Sequence, residues 1–371
     1  MSSAPRHLVT GATGFVGAAL ILELLTHTQD AIVAVVRPGA VGARPRLVEA
    51  VQHAARIYGR DPEGLPLARL EAVEGDVSLP ACGAAGTVGR VDVLWHSAAS
   101  LRFEDRYAAE IMATNFGGTR EVLALARAAG AQVANLISTA YVVGSAEGVQ
   151  REVAVQAAAS NNHYERSKVA AEELALQCQG LKVRIFRPSI VVGHSHTLAA
   201  TTFSGLYGFT RQLFQFRGVM QRMQADLLTT RPLRLRVSPD APLNLVPVDA
   251  VAEQAAHIGL QSGAEGIYHL TEPSPPSIGE AILAVTRALG LADPEFVAPD
   301  APLEWLDEQL DKRLVFYSSY IRGHKVFERS RTDAALEGYR GPAQSVPSVD
   351  RLVAWYLEHL EAERADQAPH R

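Results

Sequence analysis

Tyr164 and Lys168 stand four positions apart in Tyr164-Glu165-Arg166-Ser167-Lys168. On a helix this spacing puts a phenol and an ammonium on one face, about one turn from each other. A cation so close favours the phenolate and is expected to lower the tyrosine pKa toward neutrality, giving a usable general acid or base. Upstream, Ile137-Ser138-Thr139-Ala140-Tyr141 ends an apolar run in hydroxyls, and Asn115 is a polar group within an otherwise apolar helical pattern. Taken singly, each has a bland use as a strand-end hydroxyl, a core amide or a chance pair on a helix. Their joint order behind the glycine-rich loop at residues 10–17 does not.

That loop is Thr10-Gly11-Ala12-Thr13-Gly14-Phe15-Val16-Gly17, set between the apolar run His7-Leu8-Val9 and Ala18-Ala19-Leu20-Ile21-Leu22. Glycine at three positions allows a tight turn, close approach of backbone to a pyrophosphate and close packing of helix on strand. The helix start adds unpaired N–H groups and a positive dipole end. A dinucleotide is therefore expected on Gly11, Thr13, Gly14, Phe15, Val16 and Gly17. The second strand ends in Val36-Arg37-Pro38-Gly39 rather than in an acid. A carboxylate there would bind a ribose diol, whereas arginine suits a 2′-phosphate, so NADPH is favoured over NADH. Arg46 is the candidate second phosphate contact.

Alternating strand and helix patterns must carry these groups. Helical patterns cover 17–25, 45–58, 107–129 and 165–179; strand-like runs cover 31–36, 70–73, 91–95, 133–138 and 183–186. Such alternation predicts an α/β fold, a doubly wound parallel sheet of Rossmann type, with a smaller, mainly helical substrate-binding region. Gly130 reads as a helix stop. The expected division is a dinucleotide-binding domain over 1–193, a substrate-side insertion over 194–243, a return to the sheet over 244–272 and a helical substrate-binding region over 273–371. In the return segment Asp249 is expected to cap a helix over 250–260. Amphipathic helices are expected over 278–289, 303–310 and 349–360, the last docking on the body through Leu352, Tyr356 and Leu360, with a frayed polar tail from Ala362.

The combination of glycine loop, Asn115, Ser138-Thr139 and Tyr164-xxx-Lys168 resembles the extended short-chain dehydrogenase/reductase superfamily over residues 6–193. The resemblance implies Tyr164 as proton donor, Lys168 as the residue that holds the nicotinamide ribose and tunes Tyr164, Thr139 as the hydroxyl on the substrate oxygen and Asn115 as support for a proton relay. It also implies cofactor contacts at Asp76 and Val77, at Ser97, Ala98 and Ala99, and at Pro188 and Ile190. Within the superfamily, Val36-Arg37, Ser138-Thr139-Ala140-Tyr141-Val142, Arg187-Pro188-Ser189-Ile190-Val191-Val192-Gly193 and Val246-Pro247-Val248-Asp249-Ala250 are most similar to the male-sterility-type branch of fatty acyl-CoA reductases and thioester reductases. NADPH-dependent reduction of an acyl-CoA or acyl carrier protein thioester to aldehyde, and on to alcohol in a second turnover, is the implied reaction. A nucleotide-sugar epimerase or hydroxysteroid-type dehydrogenase is the alternative. The Phe and Leu residues from Phe203 to Phe216 suit either core packing or an acyl pocket.

Bulk properties narrow the rest. A net charge of -5 offers no general attraction to nucleic acid or to an anionic membrane. Two cysteines, Cys82 and Cys178, without CxxC spacing indicate neither a disulfide framework nor a zinc site, and suit the reducing cytoplasm. No metal is expected; His194 and His196 have no evident third ligand. The first strand begins too early for a signal peptide, and no apolar stretch approaches the roughly 20 residues of a membrane span. A homodimer is compatible with these features.

Overall fold

A computed structural model of the chain describes residues 5–102, 104–156, 160–224, 226–339 and 346–367. The first half alternates as the hydropathy pattern requires: β1 (Arg6–Thr10), α1 (Phe15–His27), β2 (Ala31–Val36), α2 (Ala43–Ile57), β3 (Leu70–Glu74), β4 (Val93–His96), α3 (Ala108–Met112), α4 (Gly118–Ala128) and β5 (Val133–Ile137). It continues with β6 (Gly148–Gln150), α5 (His163–Leu176), β7 (Lys182–Pro188) and β8 (Ile190–Val192). The second half is α6 (Leu206–Met223), α7 (Leu227–Thr230), β9 (Arg234–Arg236), β10 (Leu245–Pro247), α8 (Val248–Leu260), β11 (Gly266–Leu270), α9 (Ile278–Ala288) and β12 (Glu295–Val297). It ends with α10 (Trp305–Leu314), α11 (Ser318–Ile321), β13 (Lys325–Phe327), α12 (Ser330–Ala335) and α13 (Val349–Gln367).

Seven strands form one parallel sheet in the order β11-β7-β5-β4-β1-β2-β3. Successive strands are thus added outward on either side of β1, and the strand order reverses between β1 and β4, where a crevice opens at the carboxyl ends. Register brings those ends level: Thr10 lies beside both Val35 and His96. Apolar strands buried on both faces, such as Ala31–Val36, are what helix cover on two sides requires. Val9, Ile21 and Val251 belong to the core on one face, and Leu8, Val122 and Ile185 to the core on the other. A further core joins Leu213 of α6, Ile282 of α9, Leu310 of α10 and Leu352 of α13. The doubly wound α/β expectation is borne out, as are Gly130 with φ 93° just past α4 and the docking of the terminal helix through Leu352, Tyr356 and Leu360.

Two local expectations are corrected and one is refined. The pattern over 107–129 is helical as expected, without a break over 108–128, but a π-type turn at Ala113–Gly117 lies within it and joins α3 to α4. Asp249 does not cap α8: the helix begins at Val248 after Pro247, and the Asp249 carboxylate instead accepts from Ser195 N at 2.9 Å and Ser195 Oγ at 2.5 Å. The tail is not frayed from Ala362, since α13 continues to Gln367; residues 368–371 lie outside the described set.

Candidate active site

A cavity of about 850 Å³ runs along the carboxyl ends of the sheet strands. Gly11, Thr13, Gly14, Phe15 and Val16 form one wall of it. Gly11 has φ +73°, and a Cβ there would lie 2.6 Å from the Ala98 backbone; a Cβ on Gly17 would lie 2.1 Å from the Gly11 carbonyl oxygen. Gly17 therefore lies beneath the loop and not on the cavity surface, where it permits the turn. The N-cap of α1 is Gly14 with no side-chain cap, so first-turn N–H groups face a place an anion can take. This cradle fits a dinucleotide diphosphate on geometry alone.

Arg37 and Arg46 line the same end, with Arg46 Nη1 donating to the Arg37 carbonyl oxygen at 2.5 Å. Asp76 and Val77 follow β3 on that wall. The Asp76 carboxylate accepts from Ser78 N at 2.8 Å and Ser78 Oγ at 2.7 Å, and these bonds hold its pKa below the ordinary value. Ser97, Ala98 and Ala99, after β4, and Pro188 and Ile190, at the β7–β8 junction, also line the cavity.

Thr139, Tyr164 and Lys168 line the same cavity. Asn162 starts α5 by accepting from Glu165 N at 2.8 Å, which fixes where Tyr164 and Lys168 emerge. Lys168 Nζ donates to the Ile137 carbonyl oxygen at the tip of β5 at 2.7 Å. Thr139 Oγ1 accepts from Tyr141 N at 3.2 Å and so anchors the turn that follows the strand. Burial lowers the Lys168 pKa to about 8. The expected lowering of Tyr164 is not found: burial, and then the neighbouring Glu165 carboxylate, push the phenol up. In this apolar setting desolvation outweighs the ammonium, whose head is engaged with Ile137.

Asn115 is buried in the π-type turn and is not among the cavity-lining residues. Its Oδ1 accepts from Ser100 N at 2.7 Å, while Nδ2 donates to the Ser100 carbonyl at 3.2 Å and to Ser167 Oγ at 2.9 Å. Ser167 Oγ in turn donates to the Tyr164 carbonyl at 2.7 Å. Asn115 thus ties the loop after β4 to the helix carrying Tyr164. The chain extends through His96, which sequence reasoning missed. His96 Nδ1 meets Thr10 Oγ1 at 2.7 Å and Nε2 meets Thr119 Oγ1 at 3.0 Å, while Thr119 Oγ1 donates to the Asn115 carbonyl at 2.6 Å. Burial pushes the His96 pKa down to about 3, so the ring is neutral.

The other end of the cavity was anticipated only through Leu206 and Phe209. Tyr141 stands there with Phe209 of α6, Ile282 of α9 and the 316–321 segment, including Tyr317 and Tyr320. Of the aromatic and leucine residues between 203 and 216, Leu206 and Phe209 reach the cavity, whereas Tyr207, Leu213, Phe214 and Phe216 are in the core. His194 lies 3.7 Å from Asp249, and among the described residues no cluster suited to a metal occurs.

Comparison with known proteins fits this arrangement. A profile of the family described as male sterility protein matches residues 9–255. The chain belongs to the male sterility protein family. The expected superfamily, fold class and oxidoreductase class are borne out. The chain is 28% identical to the glycine betaine reductase ATRR of Emericella nidulans over 337 residues, covering 83% of this chain and 23% of that protein. It is 27% identical to the L-2-aminoadipate reductase large subunit of Penicillium chrysogenum, covering 72% of this chain and 19% of that one. The chain thus spans about a quarter or less of these two relatives. Among solved structures, the terminal R domain from the myxalamid PKS-NRPS biosynthetic pathway matches with a TM-score of 0.75 and 27% identity, covering 100% of this chain and 94% of that one. A thiolation-reductase di-domain from an archaeal non-ribosomal peptide synthetase shares the fold, with a TM-score of 0.70 at 17% identity. Among the described residues, no helix is long and apolar enough to cross a membrane.

Proposed function

We propose that this chain reduces an acyl thioester, presented on CoA or on an acyl carrier protein, to the aldehyde with NADPH, and that a second turnover can yield the alcohol. The observation that carries the reading is the meeting of Thr139, Tyr164 and Lys168 in one cavity with the glycine cradle, in a chain that matches a terminal reductase domain along its whole length. Arg37 and Arg46 at the cradle's flank favour a cofactor with a 2′-phosphate.

The bound dinucleotide would supply a hydride equivalent to the thioester carbonyl carbon. Thr139 Oγ1 and the Tyr164 hydroxyl hold the carbonyl oxygen, and Tyr164 donates the proton that this oxygen gains. The raised Tyr164 pKa suits that task, because a donor must arrive protonated. Collapse of the resulting hemithioacetal breaks the C–S bond, and the hydroxyl proton passes to the departing sulfur, giving aldehyde and thiol. Lys168 holds the ribose side of the cofactor and keeps positive charge beside the phenolate left on Tyr164. Asn115, through Ser167, holds the backbone of Tyr164 in place. Two free cysteines suit a reducing compartment such as the cytoplasm.

Purified protein is incubated with NADPH and a panel of acyl-CoA and acyl carrier thioesters while thiol release and aldehyde are measured. Release on at least one thioester supports the reading, and no release on any abandons it.

A further inference from the structure

The cavity has an uneven distribution of charge. Charged lining residues are Arg37, Arg46 and Asp76 on the cradle side, Arg102 and Glu110 near the loop after β4, and Lys168. From Pro188 onward no charged side chain lines the cavity among the described residues: α6 contributes Leu206 and Phe209, α9 contributes Ile278, Ala281 and Ile282, and the 316–321 segment contributes aromatic and aliphatic groups.

One carboxylate lies immediately behind this neutral wall. Glu165, next to Tyr164, is completely buried and is not among the lining residues. It accepts from Asn161 N at 2.6 Å, from Asn161 Nδ2 at 3.4 Å and from the Tyr320 hydroxyl at 3.3 Å. Lys325 of β13 is its cationic neighbour. Tyr320 itself lines the cavity, and its ring meets Tyr141 at 4.8 Å and 62° and Phe316 at 5.8 Å. Phe209 and Phe316 each pack near-perpendicular to Tyr317, at 87° and 77°. These rings pack on one another instead of standing as an open box around a cation.

We propose that Tyr320 is a specificity-determining residue: it covers the Glu165 carboxylate and so keeps the acyl end of the site neutral, which selects thioesters of uncharged, apolar acyl groups against those carrying a charge. This rests on the thioester reading above. An ionised or quaternary group placed there would be desolvated with no counter-charge in direct contact, whereas an alkyl chain gains burial against Ile282, Ile278 and Leu206. The Tyr320 ring is held over the wall by its packing on Tyr141 and Phe316, with its hydroxyl turned to Glu165.

The test compares octanoyl-CoA with betainyl-CoA, each also loaded on a carrier protein, in the full chain with NADPH. The wild type is expected to favour octanoyl by about tenfold or more in kcat/KM. Tyr320→Phe keeps the cover and retains that preference. Tyr320→Ala opens a path to the carboxylate, and the octanoyl-to-betainyl ratio is expected to fall by about tenfold, mainly through KM for the cationic substrate. Adding Glu165→Gln to Tyr320→Ala removes the charge and restores discrimination against betainyl. A wild type that reduces the betainyl thioester as well as the octanoyl one overturns the inference and leaves the reductase reading standing. A Tyr320→Ala variant that loses both substrates in parallel, with dinucleotide binding retained as the fold control, also overturns it. Reduction of no thioester by the wild type overturns both.

Discussion

At the scale of single residues, Tyr164 and Lys168 divide proton donation from charge. Burial raises the Tyr164 pKa, so the phenol stays protonated throughout the working range. The same burial lowers Lys168 to about 8, so its ammonium is the group that changes state near neutrality. Raising the pH through that value removes a cation from beside the reacting oxygen and the ribose. The kcat/KM profile is accordingly expected to fall on its alkaline side with an apparent pKa near 8. Lys168→Arg keeps its charge at higher pH, and any residual activity should lose that limb. An unchanged limb in Lys168→Arg would assign it to another group. Tyr164→Phe is expected to abolish turnover while NADPH affinity, measured by fluorescence titration, stays within about twofold, because the hydroxyl contacts substrate oxygen and not the cradle. Unchanged turnover would remove Tyr164 as the acid.

At the scale of elements, the π-type turn at Ala113–Gly117 joins three parts of the site. Such turns commonly occur at functional sites. The Asn115 amide makes three hydrogen bonds, two to the Ser100 backbone and one to Ser167. Asn115→Leu takes the partners from the half-buried Ser100 N–H and carbonyl and the donor from buried Ser167 Oγ, and is expected to lower stability by about 2 kcal/mol in urea unfolding. The Ser97–Ser100 stretch should loosen with it and weaken dinucleotide affinity. Full affinity in a destabilised variant would confine Asn115 to the fold. This turn also shows what the sequence hides. The extra residue changes the hydrogen-bond ladder but hardly alters the apolar pattern of 107–129, so periodicity reads the helix and not the bulge within it; the small and polar pairs Thr114-Asn115 and Gly117-Gly118 were the available signal. Local geometry, by contrast, was legible. Gly11, Gly17 and the Tyr164–Lys168 spacing depend on backbone freedom and helical repeat within a few residues. Asp249 misled because an acid ahead of an apolar run has the signature of a cap, while its partner, Ser195, lies far away in the sequence.

At the scale of the molecule, the acyl end of the cavity depends on contacts across most of the chain, which is why no motif announced it: Tyr141 and Tyr320 meet from opposite halves. After α11 the chain returns to the body, where β13 pairs with β6 and Phe327 packs against Tyr141. Buried Glu152, just past β6, fixes this return by accepting from His269 N at 2.8 Å, Arg331 N at 2.6 Å and Thr332 Oγ1 at 2.5 Å. One carboxylate therefore holds α12, and with it β13 and the segment bearing Tyr320, to the edge strand β11. Its removal strands buried donors, so Glu152→Ala is expected to lower unfolding free energy by about 3 kcal/mol. The displaced wall belongs to the acyl end, whereas the glycine cradle is built on β1 and β4 and makes no contact with Glu152 among these bonds. KM for the thioester should then rise several-fold at constant dinucleotide affinity, with kcat reduced less. A parallel loss of dinucleotide binding would show that the two ends of the cavity are not mechanically separate, and the division of labour between cradle and return segment would have to be withdrawn.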